Sequence, residues 1–262
     1  MNPVALRAEH LELRQGGHTL LNGLDIELRS GECWALLGRN GAGKTTLLHT
    51  LASVRQPDSG QVSLFSRPLE DWPPRERARQ LGLLIQDARE GFEETVLEAT
   101  LAGRHPHLGR WQGPTAADQA LACEALLECG LHGFERRQVH DLSGGERRRL
   151  AIATLRTQNT PVMLLDEPLN HLDPQWQWCM LGQLRDLANQ GRTLMMSLHD
   201  PNMALRFCTH ALLLDGAGGW RAGPVNGIVT EESLTEIYGL PMRAIADVLG
   251  IWLIPGLAPG SR

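Results

Sequence analysis

Residues 33–51 constrain the fold of this chain more than any other segment. An apolar run at 33–37 leads into the glycine-rich sequence GRNGAGKT at 38–45, and the leucines that follow recur on one helical face. This order predicts a buried strand, a glycine-rich loop and a helix. A helix N-terminus after such a loop presents backbone N–H groups and the positive end of the helix dipole, which together bind anions. The segment therefore predicts an α/β fold with an anion site at the end of a strand.

The glycine-rich loop fits the pattern GxxxxGK[ST] of phosphate-binding loops, in which the backbone closes around phosphate groups. Lys44 is expected to reach the β- and γ-phosphates of a nucleotide, and Thr45 is expected to ligate Mg²⁺. The residues that we predict to bind the nucleotide are Gly38, Arg39, Asn40, Gly41, Ala42, Gly43, Lys44, Thr45 and Thr46. A plain glycine turn before a helix is the alternative, and the correct order of the flanking strand and helix disfavours it.

Two carboxylates, Asp166 and Glu167, follow another apolar run at 162–165. The carboxyl end of a buried parallel strand lies beside the nucleotide in doubly wound sheets. Asp166 is therefore predicted to hold Mg²⁺ through water, and Glu167 to orient or deprotonate the attacking water. An acidic pair at a strand end is by itself more often a solvated turn or a helix cap, but its co-occurrence with the phosphate loop reverses that preference.

Further apolar runs predict the rest of the central sheet. They are continuous rather than alternating, as expected for strands buried on both faces of a parallel sheet, and they lie at 162–165, 194–198 and 211–214. By contrast, residues 4–28 contain runs that alternate with period two around a Gly-Gly turn, which predicts antiparallel strands at the edge of a sheet.

Residues 91–157 change to helical periodicity, which predicts an inserted helical lobe. Thr115 is expected to cap a helix that Gly130 stops. The apolar stripe of that helix is predicted to consist of Ala117, Leu121, Ala125 and Leu126. The expected fold is α/β, with an N-terminal antiparallel β subdomain and an inserted α-helical subdomain. The phosphate loop resembles that of P-loop NTPases, which implies a P-loop NTPase (RecA-like) core. The expected boundaries are 1–86 and 160–262 for the core with its β subdomain, and 87–159 for the helical signature subdomain.

Composition disfavours several classes of protein. Lys and Arg number 25 and Asp and Glu 30, so the net charge is −5 and the chain lacks the basic footprint of a nucleic-acid-binding protein. Five cysteines without a CxxC pair indicate a reducing compartment rather than a disulfide framework or a zinc cluster. No window reaches the roughly 18 apolar residues that a spanning helix needs. We therefore expect a cytoplasmic chain that relies on a spanning partner for any work at a membrane.

The sequence LSGGE, followed by RRRLAIATL, resembles the signature motif of ATP-binding cassette (ABC) proteins. The motif consists of Leu142, Ser143, Gly144, Gly145 and Glu146. The chemistry of these residues agrees with the resemblance, because a serine hydroxyl and N–H groups at the start of a helix can bind an anion, which gives the chain a second anion-binding helix terminus. An ordinary Ser-capped helix explains the serine but not two glycines in a first turn, where they lower helix propensity.

The remaining ABC motifs follow in order, so that the resemblance covers residues 6–253. Gln86 resembles the Q-loop glutamine, which in the family contacts Mg²⁺ and the attacking water. Residues 170–173, from Asn170 to Asp173, resemble the D-loop, and His199 resembles the switch histidine that contacts the γ-phosphate. Taken alone, such a histidine or glutamine is more often structural or solvent-facing. The resemblance implies ATP as the nucleotide, the catalytic residues Glu167, His199 and Gln86, and the Mg²⁺ site Thr45, Gln86 and Asp166.

The resemblance also implies a head-to-tail homodimer as the working unit. In the family, the phosphate loop of one copy and the signature turn of the other enclose ATP, and the dimer closes on binding and opens after hydrolysis. The implied partners are two transmembrane permease subunits, docked near Gln86 and the helical lobe, and indirectly a substrate-binding protein, with no nucleic acid. The chain is then expected on the inner face of the cell membrane, held there through the permease. Gln15 stands where many members stack an aromatic ring on adenine, and Arg14 or His18 are other candidates for that role.

Two segments refine the resemblance. Residues 94–107 and 234–239 are similar to the cassettes of importers for iron-siderophore complexes, haem and vitamin B12, which implies the uptake of a metal chelate. Another transported substrate, or export, is the first alternative. DNA-repair and chromosome-organising cassettes carry a long coiled coil between the two glycine-rich motifs, and the stretch between Lys44 and Ser143 is too short for one. A P-loop kinase would leave the signature motif and the switch histidine unexplained.

Overall fold

The computed structural model describes residues 2–85, 93–248 and 250–256. In chain order, the strands are β1 (Val4–Gln15), β2 (His18–Arg29), β3 (Cys33–Gly38), β4 (Ser59–Leu64), β5 (Arg67–Pro68), β6 (Leu81–Leu84), β7 (Val162–Leu165), β8 (Thr193–Ser197), β9 (His210–Leu214), β10 (Trp220–Pro224), β11 (Met242–Asp247) and β12 (Gly250–Pro255). The α-helices are α1 (Lys44–Leu51), α2 (Pro74–Gln80), α3 (Val96–Leu101), α4 (Ala116–Glu128), α5 (Gly144–Gln158), α6 (Pro174–Asn189), α7 (Pro201–Phe207), α8 (Val225–Ile228) and α9 (Glu231–Tyr238). Single 3₁₀ turns lie at Leu69–Asp71, Ala102–Arg104 and Val139–Asp141.

The central sheet has the strand order β10-β9-β3-β8-β7-β6. β10 runs antiparallel to β9, and all the other neighbours in this order are parallel. The predicted apolar runs form β3, β7, β8 and β9, so the prediction of a parallel sheet buried on both faces is confirmed. Because the carboxyl ends of parallel strands meet at one edge of the sheet, this order brings together the residues that follow β3, β7 and β8.

Different layers cover the two faces of the central sheet. Along β3, Cys33, Ala35 and Leu37 face a core shared with α5 and α6, whereas Trp34 and Leu36 face a core shared with α1 and the N-terminal strands. Side chains of a strand alternate between its two faces, so one continuous apolar run supplies both cores. This is why β3 lacks the alternation of polar and apolar residues seen in the N-terminal strands.

The N-terminal strands form a separate sheet with the order β2-β1-β4-β5. β1 pairs with β2 on one side and with β4 on the other, and both pairings are antiparallel. The predicted antiparallel β subdomain is therefore confirmed. The expectation that these strands lie at an edge holds for β2 and is wrong for β1, because β4 and β5 extend the sheet beyond it.

Helices α3, α4 and α5 form the lobe inserted between β6 and β7. Thr115 caps α4 as predicted, since its hydroxyl accepts from the N–H of Asp118 while the Asp118 carboxylate accepts from the N–H of Thr115 at 2.9 Å. Gly130 follows the end of this helix with the left-handed φ of +65°, as expected for a residue that stops a helix.

The predicted apolar stripe of α4 is wrong in half of its members. Ala117 is exposed and Leu121 is 36% exposed. The buried residues of this helix are Asp118, Ala122, Ala125 and Leu126. Asp118 takes an inward position because its carboxylate also accepts a hydrogen bond from Arg104 Nε at 2.7 Å, which rotates the buried face by about one residue from the position that hydrophobicity predicts.

The segment after β10 contains α8, α9 and the β11–β12 hairpin, which contacts α7 and α9. Leu234 and Ile237 of α9 are buried in the core that also contains the helical lobe. Within the described ranges, the longest helices are too short or too polar to cross a membrane.

Candidate active site

The phosphate loop joins the end of β3 to the start of α1. At Gly38 a Cβ atom would lie 2.7 Å from the carbonyl oxygen of Leu214, so only glycine fits there. Gly43 is the N-cap of α1 and has the left-handed φ of +96°. Among the described residues no side chain caps α1, and its first turn contains no acidic residue. An anion at this helix start would therefore meet no competition from a capping side-chain oxygen.

Lys44 lies across this loop. Its Nζ donates to the carbonyl oxygens of Gly38 at 2.8 Å and Arg39 at 3.1 Å, and the residue is buried. Burial lowers the pKa of Lys44, and the negative charges of Glu167 and Asp166 oppose that shift. The predicted phosphate-binding lysine therefore lies within electrostatic reach of both predicted carboxylates.

Thr45 and Asp166, two of the residues expected to hold Mg²⁺, are in direct contact. Thr45 Oγ1 donates to Asp166 Oδ2 at 2.6 Å, and the Asp166 residue is fully buried. The sheet order explains the contact, because β3 and β7 lie on either side of β8 and end at the same edge. A hydroxyl and a carboxylate are the hard oxygen donors that Mg²⁺ prefers, so these residues fit the ion.

Glu167 has a backbone conformation that few non-glycine residues adopt, with a φ of +48°. Its Oε1 lies 3.1 Å from His199 Nε2, and its Oε2 accepts a hydrogen bond from Asn170 Nδ2. The two predicted catalytic residues Glu167 and His199 are thus neighbours. Asn170 joins them, although the sequence marked it only by its place in the D-loop.

A buried arginine of α5 contacts the same turn. Arg148 donates to the carbonyl oxygens of Ile85 at 2.8 Å and Glu167 at 2.8 Å, which links the signature helix to the end of β6 and to the carboxylate pair. Sequence analysis did not identify this residue, because three consecutive arginines have the composition of a solvated helix face. Helical spacing could have identified it, because Arg148 lies on the same face of the helix as the buried Ile152 and Leu155.

The signature turn begins α5 and packs against the D-loop. Ser143 and Glu146 form a capping box, in which the Ser143 N–H donates to Glu146 Oε2 at 2.7 Å and Ser143 Oγ accepts from the Glu146 N–H. Hydrogen bonds to the Glu146 carboxylate from the N–H of Ser143, and then from its side chain, lower the pKa of Glu146. A Cβ atom at Gly145 would lie 2.8 Å from the carbonyl oxygen of His171, so the close approach of the D-loop explains this glycine. At Gly144 the nearest such contact would be 3.7 Å.

Two other predicted residues contact different groups. Asp173 is the N-cap of α6 and accepts from the N–H of Trp176 at 2.9 Å. Gln15 Oε1 accepts from Thr46 Oγ1 at 3.2 Å, which puts Gln15 beside the start of α1. Gln86 lies outside the residues that the structure describes.

Comparison with known families identifies the family of this chain. The family model described as ABC transporter matches residues 21–170. The chain belongs to the ABC transporter family. As an ABC ATPase, it hydrolyses ATP to power transport, and membership in the family implies a second copy and transmembrane subunits as partners.

Similar relatives of this ABC ATPase include two importer subunits. The hemin import ATP-binding protein HmuV of Pseudomonas aeruginosa is 38% identical over 240 residues, which cover 90% of this chain and 92% of that protein. The ferric enterobactin transport ATP-binding protein FepC of Escherichia coli is 37% identical over 246 residues, which cover 92% of this chain and 90% of that protein. A solved inward-facing ABC transporter of the metal-chelate type matches with a TM-score of 0.85 and 28% identity, over 98% of this chain and 99% of that one. The predicted ABC cassette fold is confirmed.

Proposed function

We propose that this ABC ATPase drives the uptake of a metal chelate, namely a ferric siderophore, haem or vitamin B12, through two separate permease subunits. The observation that carries the proposal is similarity over at least nine-tenths of both a hemin and a ferric enterobactin transport ATPase. The local resemblance at 94–107 and 234–239 supports it. A substrate-binding protein selects the chelate and delivers it to the permease, so this subunit needs no chelate site of its own.

Residues 38–46 bind the phosphates of ATP, and Thr45, Asp166 and Gln86 hold Mg²⁺. The direct contact between Thr45 and Asp166 supports this assignment, as does the uncapped start of α1. When bound, Mg²⁺ neutralises charge on the phosphate oxygens. Lys44 adds a buried positive charge at the same place, and its position against Gly38 holds that charge at the mouth of the loop.

Glu167 orients or deprotonates the attacking water, together with Gln86, and His199 contacts the γ-phosphate. The 3.1 Å distance between His199 Nε2 and Glu167 Oε1 supports these roles, because it lets the histidine orient the carboxylate as well. Asn170 engages the other carboxylate oxygen. A carboxylate held at both oxygens has a restricted orientation, which a general base requires.

The hydrolytic unit is a head-to-tail homodimer. The signature residues 142–146 of one copy contact ATP held by the phosphate loop of the other, and Asp173 lies at the same interface. The helix start at Ser143, where a hydroxyl and N–H groups suit an anion, supports this arrangement. Because the chain carries one copy of each motif, two chains complete two sites, and their closure and opening drive the permease.

The chain is cytoplasmic and peripheral on the inner face of the membrane, where the permease docks near Gln86 and the helical lobe. Trp111, in the loop before α4, is 92% exposed, and the guanidinium of Arg110 lies 5.8 Å from its ring centroid. Exposed aromatic and arginine side chains are enriched at protein interfaces, which supports docking on this lobe. We propose 87–159 as the helical signature subdomain, and 1–86 with 160–262 as the nucleotide-binding core with its β subdomain.

Reconstitution with the native permease in vesicles tests the function. Vitamin B12, a ferric siderophore and haem are offered in parallel, and ATP-dependent accumulation of one of them is expected. The variant Glu167→Gln should abolish accumulation, whereas the matched control Glu70→Gln, at an exposed position, should not. Robust ATPase activity without accumulation of any of the three would overturn metal-chelate uptake and leave the ATPase assignment intact.

A further inference from the structure

Ser197, the last residue of β8, is a polar residue at the end of a buried strand. It is fully buried, and the residues before it, from Leu194 to Met196, are apolar. Its hydroxyl lies between the two carboxylate residues of the active site: Ser197 Oγ donates to Asp166 Oδ1 at 2.7 Å and accepts from the N–H of Glu167 at 2.6 Å. One side chain therefore contacts both the metal-binding residue and the backbone of the general base.

The chemistry of these contacts requires a hydroxyl. A hydroxyl has one proton to donate and lone pairs to accept, whereas a backbone amide can only donate. The Glu167 N–H therefore takes a lone pair of Ser197, and the Ser197 proton goes to Asp166. Since Thr45 Oγ1 donates to the other oxygen of Asp166, each carboxylate oxygen has its own hydroxyl donor.

The backbone of Glu167 makes this contact more important. Its φ of +48° is unfavourable for a residue with a side chain, and such conformations persist when surrounding contacts hold them. The Ser197 hydroxyl accepts from the N–H of this residue, and Arg148 donates to its carbonyl oxygen, so both backbone polar groups of Glu167 are held. Ser197 also lies two residues before His199, so the end of β8 contributes to the position of three groups in the site.

We propose that Ser197 is a positioning residue for ATP hydrolysis, which sets the Asp166 carboxylate for Mg²⁺ and the Glu167 peptide for the attacking water. The proposal rests on the roles assigned above to Asp166 and Glu167. A merely structural serine would fill space and satisfy a buried amide. Removal of a positioning serine would also weaken metal-ion binding and change the dependence of kcat on Mg²⁺ concentration.

The test compares Ser197→Ala and Ser197→Cys with the matched control Thr193→Val, all in the full chain. Thr193 lies at the other end of β8, is buried, and donates to the carbonyl oxygen of Arg29 at 3.2 Å. The first readout is binding of a fluorescent ATP analogue with EDTA and with increasing Mg²⁺. The second is binding of Mn²⁺ to the ATP-loaded chain, followed by electron paramagnetic resonance. The third is kcat as a function of Mg²⁺ concentration.

For Ser197→Ala we expect analogue binding in EDTA to stay within about twofold, because the phosphate loop is intact. Mn²⁺ affinity and kcat should each fall by about 10–100-fold, as for other residues that orient metal ligands. Ser197→Cys, which keeps a small side chain with a weak donor, should fall between alanine and serine. Thr193→Val should match the parent chain in all three readouts.

Parent-like Mn²⁺ affinity and kcat in folded Ser197→Ala would overturn the proposal. So would an equal loss in Thr193→Val, because a general effect of losing a buried hydroxyl would then explain the result. If Ser197→Ala does not fold, a parent-like Mn²⁺ affinity in Ser197→Cys would overturn it instead. Glu167→Gln is measured in parallel: if that variant hydrolyses ATP normally, the proposed role of Glu167 fails, whatever Ser197 does.

Discussion

Two glycine-rich turns each begin a helix in this chain, and they present their helix N-termini in different ways. At α1 the N-cap is Gly43, and the described structure has no capping side chain there. At α5 a capping box of Ser143 and Glu146 already pairs the N–H groups of those two residues, which leaves to an anion the N–H groups of Gly144 and Gly145. We therefore expect the first terminus to form a complete anion site in one chain. The second is a partial one, which fits contact with a phosphate held mainly by another copy.

The glycines of the two turns also serve different purposes. In the phosphate loop, Gly41 and Gly43 have positive φ values, so their conformation requires glycine. At the signature turn, Gly145 is in a helix, and what requires glycine is the carbonyl oxygen of His171 close above it. The same residue type therefore shapes a binding loop in one turn and permits contact with the D-loop in the other.

The largest effect is expected for Glu167→Gln, which tests whether the two turns meet in a dimer. Turnover should fall by about 100- to 10,000-fold, because the amide cannot accept a proton from water. ATP binding should persist and trap the closed dimer, which light scattering after size-exclusion chromatography with ATP would detect. Full ATPase activity would refute the role of Glu167. Lost activity without an ATP-dependent dimer would instead refute the proposed meeting of the two turns.

The next effect concerns the first turn alone. Lys44→Ala should weaken ATP binding by about 10–100-fold, since hydrogen bonds to charged groups contribute roughly 1.5–3 kcal/mol. Lys44→Arg is the control that keeps the charge but changes its geometry, and it should bind ATP better than the alanine variant. Calorimetric titration with ATP gives both affinities. Unchanged affinity in Lys44→Ala would remove the phosphate-loop assignment.

Lys44 also provides a direct probe, because it is the only lysine in the sequence. An amine-reactive reagent can therefore modify one side chain, whose pKa is lowered by burial. We expect ATP to protect this position from modification, as measured by mass spectrometry of the corresponding peptide. Modification at the same rate with and without ATP would contradict contact between Lys44 and the nucleotide.

The sequence predicted those parts of the site whose signal is local. The phosphate loop, the strand before Asp166 and the strand before His199 each follow from short patterns of glycine, apolar and acidic residues, and the parallel sheet then requires the ends of these strands to meet. The family resemblance added the signature and switch residues. The resemblance also added Gln86, which lies outside the described residues.

The contacts that sequence reasoning missed depend on tertiary structure. Arg148 looks like part of an exposed basic run, and only its packing beneath the carboxylate turn makes it internal. Ser197 follows three apolar residues at the end of β8, and its partners become visible only when β7 and β8 pair. The stripe of α4 was misjudged for the same reason, since Asp118 is drawn inward by an arginine from another segment. Hydrophobic periodicity has no means to detect a buried charge that is paired.

A smaller effect, on stability, would sharpen the comparison at the second turn. Gly145→Ala should lower the free energy of unfolding by about 1–3 kcal/mol, because its Cβ would lie 2.8 Å from a backbone oxygen that cannot move alone. Gly144→Ala is the matched control one residue earlier. Its Cβ would be in ordinary contact at 3.7 Å, and alanine favours the helix by up to about 1 kcal/mol. Urea unfolding measures both, and equal stabilities would show that the D-loop does not constrain Gly145.

The smallest expected effect is a difference in how stability depends on pH between two capping boxes, Thr115 with Asp118 and Ser143 with Glu146. Hydrogen bonds from the backbone and hydroxyl of Thr115, and then from Arg104, lower the pKa of Asp118 from 3.8 to about 2. An acid whose folded-state pKa lies below its unfolded value stabilises the fold above the unfolded value and loses that contribution as pH falls. The stability difference between the parent chain and Asp118→Asn should therefore be constant above about pH 5 and shrink between pH 3.8 and about 2.

Glu146→Gln is the control, because Glu146 closes the capping box of the signature helix without an arginine at hydrogen-bonding distance in the described contacts; Arg137 Nη1 lies 3.8 Å away. Its pKa is also lowered, mainly by the Ser143 N–H, so its stability difference should likewise shrink as the solution is acidified. The two acids start from different unfolded values, 3.8 for Asp118 and 4.5 for Glu146. If the Arg104 contact matters, the Asp118 difference should persist further below 3.8 than the Glu146 difference persists below 4.5. Equal offsets from these two values in urea unfolding would mean that the capping hydrogen bonds alone lower both pKa values, and that the inward position of Asp118 has another cause.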